Sequence, residues 1–234
     1  TGGSEVKGSG TVIESRPGRT VLLTCSHVLR NADSTTRVEV DLFRSGKPTT
    51  YLGTIIGSDS DADVGLISIR TTDESFPVIP VAGLDETPSA GTQVYSIGCG
   101  GGEPPSREQL RVTDINQYQG PDTIVCTGVP VMGRSGGGLF DSRGSLVGVC
   151  FAADETGKRG VYCGLRPIHD LLTKHELAHL VPRSQPGKNM ADASSNLPND
   201  VEPPQPRTLP SREGRHFDDN GIADEAPPKF PAET

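Results

Sequence analysis

Short apolar runs recur along the chain up to residue 164, and each run is closed by residues that favour turns. The chain holds 29 glycines and 20 prolines among its 234 residues, and only 32% of its residues are hydrophobic. Glycine and proline disfavour long helices but are common at the ends of short strands. The pattern therefore predicts an all-β fold built from short antiparallel strands.

The runs fall into two sets, which predicts two β-barrels. The first set occupies residues 11–14, 20–24, 37–43, 51–56 and 64–69. The second set occupies residues 93–98, 110–115, 123–127, 138–140, 145–152 and 160–164. Residues 76–90, rich in proline and acidic side chains, separate the sets and predict a connector. Residues 167–181 form the one predicted helix, with Pro167 near its first position and Pro182 ending it.

Composition divides the chain into three segments. We predict an N-terminal barrel over residues 1–91, a C-terminal barrel with the closing helix over 92–181, and a tail over 182–234. The tail is rich in proline and its apolar residues are isolated, so it cannot bury enough surface to offset the entropy of ordering. It is predicted to be disordered. Because the chain begins at Thr1 rather than methionine, we expect a processed product or a fragment.

The most specific motif is G-R-S-G-G-G-L at residues 133–139. Glycines let a backbone turn tightly and reach positive φ without steric cost. Such a loop can expose one serine hydroxyl and aim neighbouring backbone N–H groups into the same space. Ser135 is therefore a candidate nucleophile, which needs a base and an orienting acid from elsewhere in the chain.

Candidates for both partners lie upstream. T-C-S-H-V at residues 24–28 follows an apolar run and places His27 at the end of a strand. D-A-D-V-G-L begins at Asp61 and places Asp63 at the start of another strand. Asp61 is the rival acid, two residues earlier. The chain order His, Asp, Ser is one of those in which the catalytic triad occurs.

These motifs together resemble the trypsin-like (chymotrypsin-fold) serine proteases, and the bacterial HtrA-type branch most closely. The resemblance covers residues 6–181 and includes no PDZ-like domain. It implies two antiparallel barrels with the active site in the crevice between them. It also implies peptide-bond hydrolysis through His27, Asp63 and Ser135 with an acyl-enzyme intermediate, and an extracytoplasmic location, secreted or periplasmic.

Further roles follow from the resemblance. The backbone N–H groups of Gly133 and Ser135 would form the oxyanion hole. Trypsin-type zymogens carry an aspartate before the nucleophile, where it receives a newly cut N-terminal ammonium. Here that residue is Arg134, so we expect the site to assemble without this switch, with only the backbone of Arg134 beside the hole.

The resemblance also assigns a primary substrate pocket that contains no acidic residue. An apolar pocket of this kind favours small or medium apolar side chains over lysine or arginine. The assigned residues, with the first at the base, are Val129, Phe151, Ala152, Ala153 and Gly160.

Two alternatives compete with this interpretation. H-E-L-A-H at residues 175–179 fits the zinc-binding H-E-x-x-H pattern, which would make the chain a metallopeptidase. Pro182 ends that helix almost at once, and third-ligand candidates such as Glu202 or His216 fall in the tail. The other alternative is an inactive, protease-like binding module, against which the intact triad residues argue. We predict no metal and no cofactor.

Charge and hydropathy narrow the range of partners. The net charge of −8 gives no electrostatic support for binding nucleic acid. No apolar run approaches the ~20 residues that a membrane-spanning helix needs. The expected partner is a polypeptide substrate.

The five cysteines are odd in number and none occurs in a C-x-x-C pair, which argues against a dense disulfide framework. The resemblance places Cys150 and Cys163 on adjacent strands. The simplest interpretation is that both are small buried hydrophobic residues.

Overall fold

The computed structural model describes residues 6–30, 32, 37–44, 47–72 and 75–182. Each predicted apolar run forms a strand. In chain order the strands are β1 (Thr11–Arg16), β2 (Arg19–Thr24), β3 (Val38–Arg44), β4 (Lys47–Asp59), β5 (Val64–Ile69), β6 (Gln93–Gly100), β7 (Glu103–Ile115), β8 (Thr123–Thr127), β9 (Gly138–Phe140), β10 (Leu146–Asp154) and β11 (Arg159–Cys163). The predicted tail lies outside the described residues, Pro182 excepted, and stays a prediction.

The strands form two units. The first is a five-stranded antiparallel sheet in the order β1-β2-β5-β4-β3. The second is a closed barrel in the order β10-β11-β8-β7-β6-β9. The predicted all-β, chymotrypsin-like fold is confirmed. Hydrogen bonds close the second unit into a barrel. Among the described strands, β1 and β3 lie at the edges of the first unit.

Strands β4 and β7 are longer than the apolar pattern predicted. Their additional residues, 47–50 and 103–109, are polar or proline and exposed. They pair with neighbouring strands through backbone ladders, and some of their side chains add contacts, as where the Thr50 hydroxyl donates to Asp41 Oδ1 at 2.6 Å. Hydrophobic periodicity marks only half-buried strands, so it cannot detect arms that face solvent on both sides.

The connector between the units is packed against both. The N–H of Ile79 donates to the carbonyl of Val12 in β1 at 2.9 Å. Val81 forms a parallel bridge with Leu146 of β10, and the N–H of Ala82 donates to the Leu146 carbonyl at 2.9 Å. These bonds tie one edge of the first sheet to the barrel.

The C-terminal helix is shorter than predicted. Helix α1 spans Leu165–Lys174, and a short 3₁₀ turn follows at Ala178–Leu180. The predicted end at residue 181 is wrong because Glu176 adopts φ 61°, and the N–H of Leu177 then donates to the Leu172 carbonyl at 2.8 Å. This left-handed cap buries Leu177 and ends the helix. No helix in the described part of the chain is long and apolar enough to cross a membrane.

All five cysteines are free thiols. Cys150 lies opposite Tyr162, while Cys163 lies opposite Val149, so these two cysteines are on adjacent strands but not opposite each other. Burial raises the pKa of Cys126 and of Cys150 to about 12. Both groups therefore behave as neutral, apolar core side chains, as the sequence suggested for Cys150.

Candidate active site

His27 and Asp63 form a hydrogen-bonded pair. Strand β2 ends at Thr24, and His27 opens a single 3₁₀ turn directly after it. The Asp63 Oδ2 atom lies 2.8 Å from His27 Nδ1, and Asp63 Oδ1 accepts the backbone N–H of His27 at 2.8 Å. Both carboxylate oxygens of Asp63 bond to His27. The imidazole ring is therefore fixed in position, with its Nδ1 atom hydrogen-bonded to the carboxylate.

The structure distinguishes Asp63 from Asp61. Asp61 is exposed, whereas Asp63 is 1% exposed and adopts φ 55° at the entrance of β5. Asp59 supports this turn, since its Oδ1 atom accepts the N–H groups of Asp61 and Ala62 at 2.9 and 3.0 Å. The turn directs the Asp63 carboxylate toward His27 and away from water.

In the loop that carries Ser135, the backbone N–H groups of Gly133 and Ser135 have no hydrogen-bond partner among the described residues. The Met132 carbonyl accepts the N–H of Gly101 at 2.9 Å, and the Arg134 carbonyl accepts the N–H of Gly137 at 2.9 Å. Because both following peptide bonds are trans, the N–H groups of Gly133 and Ser135 point away from these carbonyls. Within the described residues neither N–H meets a protein acceptor. Gly133 adopts φ 90°, which favours glycine there.

The glycines after Ser135 are required by close packing on both units. A Cβ on Gly136 would overlap the Ser9 carbonyl and the Thr24 hydroxyl, and Gly136 adopts φ 85°. A Cβ on Gly137 would lie 2.7 Å from the carbonyl of Ile97 in β6. The loop is therefore held between the first sheet and the barrel.

Ser9 is a functional candidate that sequence reasoning missed. Its hydroxyl donates to the Gly133 carbonyl at 2.7 Å and accepts the N–H of Cys99 at 2.8 Å. Its backbone N–H donates to the Ser135 carbonyl at 2.6 Å. Ser9 thus joins the segment before β1 both to the loop that carries Ser135 and to β6. The only sequence signal was its position in G-S-G ahead of the first strand.

The second ring nitrogen of His27 faces a thiol. His27 Nε2 lies 3.7 Å from Sγ of Cys25, and among the described residues the Ser135 hydroxyl makes no hydrogen bond. The residue after Ser135 packs on the first sheet, since a Cβ added to Gly136 would lie 3.1 Å from the backbone nitrogen of Cys25. Catalytic hydrogen bonds are often long or misaligned without substrate.

Arg134 has a fully buried side chain, which the sequence did not predict. Its guanidinium donates to the carbonyls of Ser96, Gly98 and Ser106 and to the hydroxyls of Ser96 and Ser106 at 3.1 to 3.4 Å. Glu108 Oε1 lies 3.3 Å away at the surface. The arginine next to Ser135 is therefore anchored to β6 and β7.

The residues assigned to the substrate pocket lie at the ends of β8, β10 and β11. Ala153 pairs with Gly160 across β10 and β11, and Pro130 packs over Gly160, where an added Cβ would lie 3.0 Å from the proline ring. Val129 is 39% exposed. The two other assigned residues are more enclosed: Ala152 is half-buried and Phe151 is 9% exposed.

The H-E-L-A-H segment does not form a helical zinc-binding pair. Helix α1 ends before His175, and the left-handed Glu176 turns the chain away from the helix axis. The His175 ring packs against Gly57 of β4, and His179 Nε2 lies 2.7 Å from Glu14 Oε1 of β1. Both histidines contact the first sheet, so the zinc-peptidase interpretation loses its geometric basis.

The fold described above is that of chymotrypsin-like proteins. The sequence profile of the trypsin-like peptidase domain matches residues 8–149, more than half of the chain. The chain therefore belongs to the trypsin-like peptidase family. A comparison with curated protein sequences gave no significant match.

Solved protease structures share the fold. The chain is similar to the HtrA-type protease AlgW with a decapeptide, at 21% identity and a TM-score of 0.61. The match covers 72% of this chain and 51% of that one, so this chain spans about half of the AlgW length.

It is also similar to the Rv3671c protease of M. tuberculosis in its active form, at 23% identity and a TM-score of 0.57, covering 72% of this chain and 73% of that one. The inactive form of Rv3671c, a serine-to-alanine mutant, matches at 24% identity with a TM-score of 0.56, covering 72% and 81%. At these identities the likeness establishes the fold alone.

Replacing the buried arginine should destabilise the protein. Arg134→Met removes five donated hydrogen bonds, three of them to the carbonyls of Ser96, Gly98 and Ser106. We expect the free energy of unfolding to fall by about 3–5 kcal/mol, measured by urea denaturation with circular dichroism. Arg134→Lys should lower the free energy of unfolding by a smaller amount, because lysine keeps the positive charge although it lacks the planar guanidinium.

Arg143→Met is the matched control for this experiment. Arg143 forms ion pairs with Glu86 and Asp141 at the surface, where its side chain is 61% exposed. Exposed pairs contribute little, so this variant should unfold at nearly the wild-type urea concentration. Equal stability of the two methionine variants would contradict an anchoring role for Arg134.

Proposed function

We propose that the chain is a serine endopeptidase. The observation that carries the proposal is the buried Asp63 carboxylate hydrogen-bonded to His27 Nδ1, beside a loop whose Gly133 and Ser135 N–H groups are unpaired. Membership of the trypsin-like peptidase family supports it, and the matched residues 8–149 include all four of these positions.

In the proposed reaction Ser135 is the nucleophile. Its Oγ attacks the carbonyl carbon of the scissile peptide bond while His27 Nε2 takes the hydroxyl proton. The tetrahedral intermediate collapses when His27 gives that proton to the leaving amine. A water molecule then attacks the acyl-enzyme ester by the same steps, which releases the acid and restores the Ser135 hydroxyl.

Asp63 makes His27 an effective base. A carboxylate on Nδ1 keeps the proton there, so the lone pair is on Nε2, and it stabilises the imidazolium formed during the reaction. Asp63 suits this role because it is buried, where its charge is little screened by water. Its left-handed backbone at the β5 entrance keeps the carboxylate in place.

The oxyanion would be bound by the N–H groups of Gly133 and Ser135. Donors fixed before the reaction stabilise developing negative charge without reorganising. Here the orientation of these donors is supported by the bonds to the Met132 and Arg134 carbonyls, and by Ser9 on the Gly133 carbonyl. No cut N-terminus is needed, because Arg134 already anchors the loop from within.

The most direct test is chemical labelling of Ser135. The wild-type chain should react with a fluorophosphonate probe, and digestion with mass spectrometry should place the adduct on Ser135. Ser135→Ala should abolish labelling and lower kcat by about 10⁶-fold with the circular dichroism spectrum unchanged. A correctly folded wild-type chain that neither reacts nor cleaves peptides would be a protease-like binding module instead.

Asp63→Asn tests the assignment of the acid. The amide would stabilise the wrong tautomer of His27, so we expect kcat to fall by about 10⁴-fold in a peptide-cleavage assay. Asp61→Asn is the matched control, since it makes the same change two residues away on an exposed side chain, and it should retain wild-type kcat. If the two variants exchanged these effects, the acid assignment would be wrong.

The substrate pocket is proposed to take small or medium apolar side chains. Its assigned residues carry no charge, and the nearby Arg159 lies 2.8 Å from Asp154, so these two charges face each other. A peptide library should give kcat/KM values at least about tenfold higher for alanine, valine or leucine before the cut than for lysine or arginine.

Val129→Asp tests the base of this pocket. Because Val129 is partly exposed, the substitution is compatible with folding. An aspartate at the base should raise kcat/KM for lysine and arginine relative to wild type. A library profile unchanged by Val129→Asp would remove Val129 from the pocket.

An extracytoplasmic location is also proposed. It is supported by the similarity to HtrA-type proteases and by no feature of the described residues. Fractionation of the source cells with an antibody against the chain tests it, and recovery in the cytoplasmic fraction would contradict it.

A further inference from the structure

A buried thiol lies beside the proposed catalytic base. Cys25 is fully buried at the end of β2, and its Sγ atom is 3.7 Å from His27 Nε2. Within the described part of the chain, Cys25, His27 and Asp63 are the one set of three metal-ligating side chains whose ligand atoms all lie within 4.8 Å of one another. The proposed peptidase reaction uses two of these groups and leaves the thiol without a role.

The spacing of the sulfur and nitrogen atoms suits a shared metal ion. Zinc binds cysteine sulfur and histidine nitrogen at about 2.3 and 2.0 Å in tetrahedral geometry, which separates the two ligand atoms by roughly 3.5 Å. The observed 3.7 Å is close to that value. The backbone thus already holds both ligand atoms near the required separation.

Asp63 gives His27 the outer partner typical of metal-binding histidines. Such histidines usually donate their other ring N–H to a carboxylate, which fixes the ring and raises its basicity. Asp63 Oδ2 occupies this position at 2.8 Å from Nδ1. The Asp63 carboxylate and a Cys25 thiolate would also balance the charge of a divalent cation.

We propose that Cys25 Sγ and His27 Nε2 form an inhibitory site for a thiophilic divalent cation such as Zn²⁺. This inference rests on the proposed function, because inhibition arises when the metal occupies the lone pair that would accept the Ser135 proton. Binding forms one metal–sulfur and one metal–nitrogen bond, and the thiol proton is released to solvent. Water fills the remaining coordination positions.

The test is a Zn²⁺ titration of peptidase activity in the full chain. Wild type should be inhibited, with recovery on adding EDTA. Cys25→Ala should require at least about tenfold more Zn²⁺ for the same fractional inhibition, each variant being normalised to its own metal-free rate. Cys99→Ala is the matched control, since Cys99 is the more accessible thiol, and it should be inhibited like wild type. Equal inhibition of wild type and Cys25→Ala would overturn the proposal.

A second measurement separates this site from the peptidase proposal. Cd²⁺ added to Ser135→Ala should produce thiolate-to-metal charge-transfer absorption in the ultraviolet, which should be lost when Cys25→Ala is combined with it. That result would support the metal site even in a chain with no peptidase activity. Absorption that persists in the double variant would overturn it. If the alanine variant does not fold, Cys25→Val, which keeps a side chain of similar size without a sulfur, takes its place.

Discussion

The buried guanidinium of Arg134 is the constraint on which the candidate site depends. A charged group inside a protein must be fully hydrogen-bonded, and carbonyls of β6 and β7 meet this demand for Arg134. Since Ser135 is the next residue, the hydrogen bonds of the Arg134 side chain also fix where the loop that carries Ser135 leaves the barrel. In the same loop conformation the carbonyls of Met132 and Arg134 are hydrogen-bonded, and the N–H groups of Gly133 and Ser135 point away from them.

The first sheet supplies the other half of the candidate site. It supplies His27 and Asp63, and through Ser9 it bonds to the carbonyls of Gly133 and Ser135. The residues proposed as base, acid and nucleophile therefore come from two units that are joined by backbone hydrogen bonds. The same close packing places Cys25 against His27, the arrangement on which the proposed metal site depends.

The strands were predictable because their signals are local, whereas the candidate triad was assigned from motifs that resemble a known family and stays a prediction. Alternating apolar runs mark half-buried strands, and a serine among glycines marks a tight turn. What the sequence did not reveal depends on distant partners. In the sequence Arg134 resembles a surface charge, and only the packing of β6 and β7 around it shows that it is buried. The Ser9 hydroxyl donates to the carbonyl of Gly133, more than a hundred positions away in the sequence. The end of the helix at Glu176 was not predicted, because the residues that follow continue a helical pattern in the sequence. In the structure the chain leaves the helix there, which buries Leu177.

The most direct measurement is a crystal structure of the chain inhibited by a peptidyl phosphonate. We predict a phosphorus–oxygen bond to Ser135, with a phosphoryl oxygen within hydrogen-bond distance of the N–H groups of Gly133 and Ser135. His27 should still be hydrogen-bonded to Asp63. A phosphonate attached to another residue, or a phosphoryl oxygen directed away from these two N–H groups, would contradict the account.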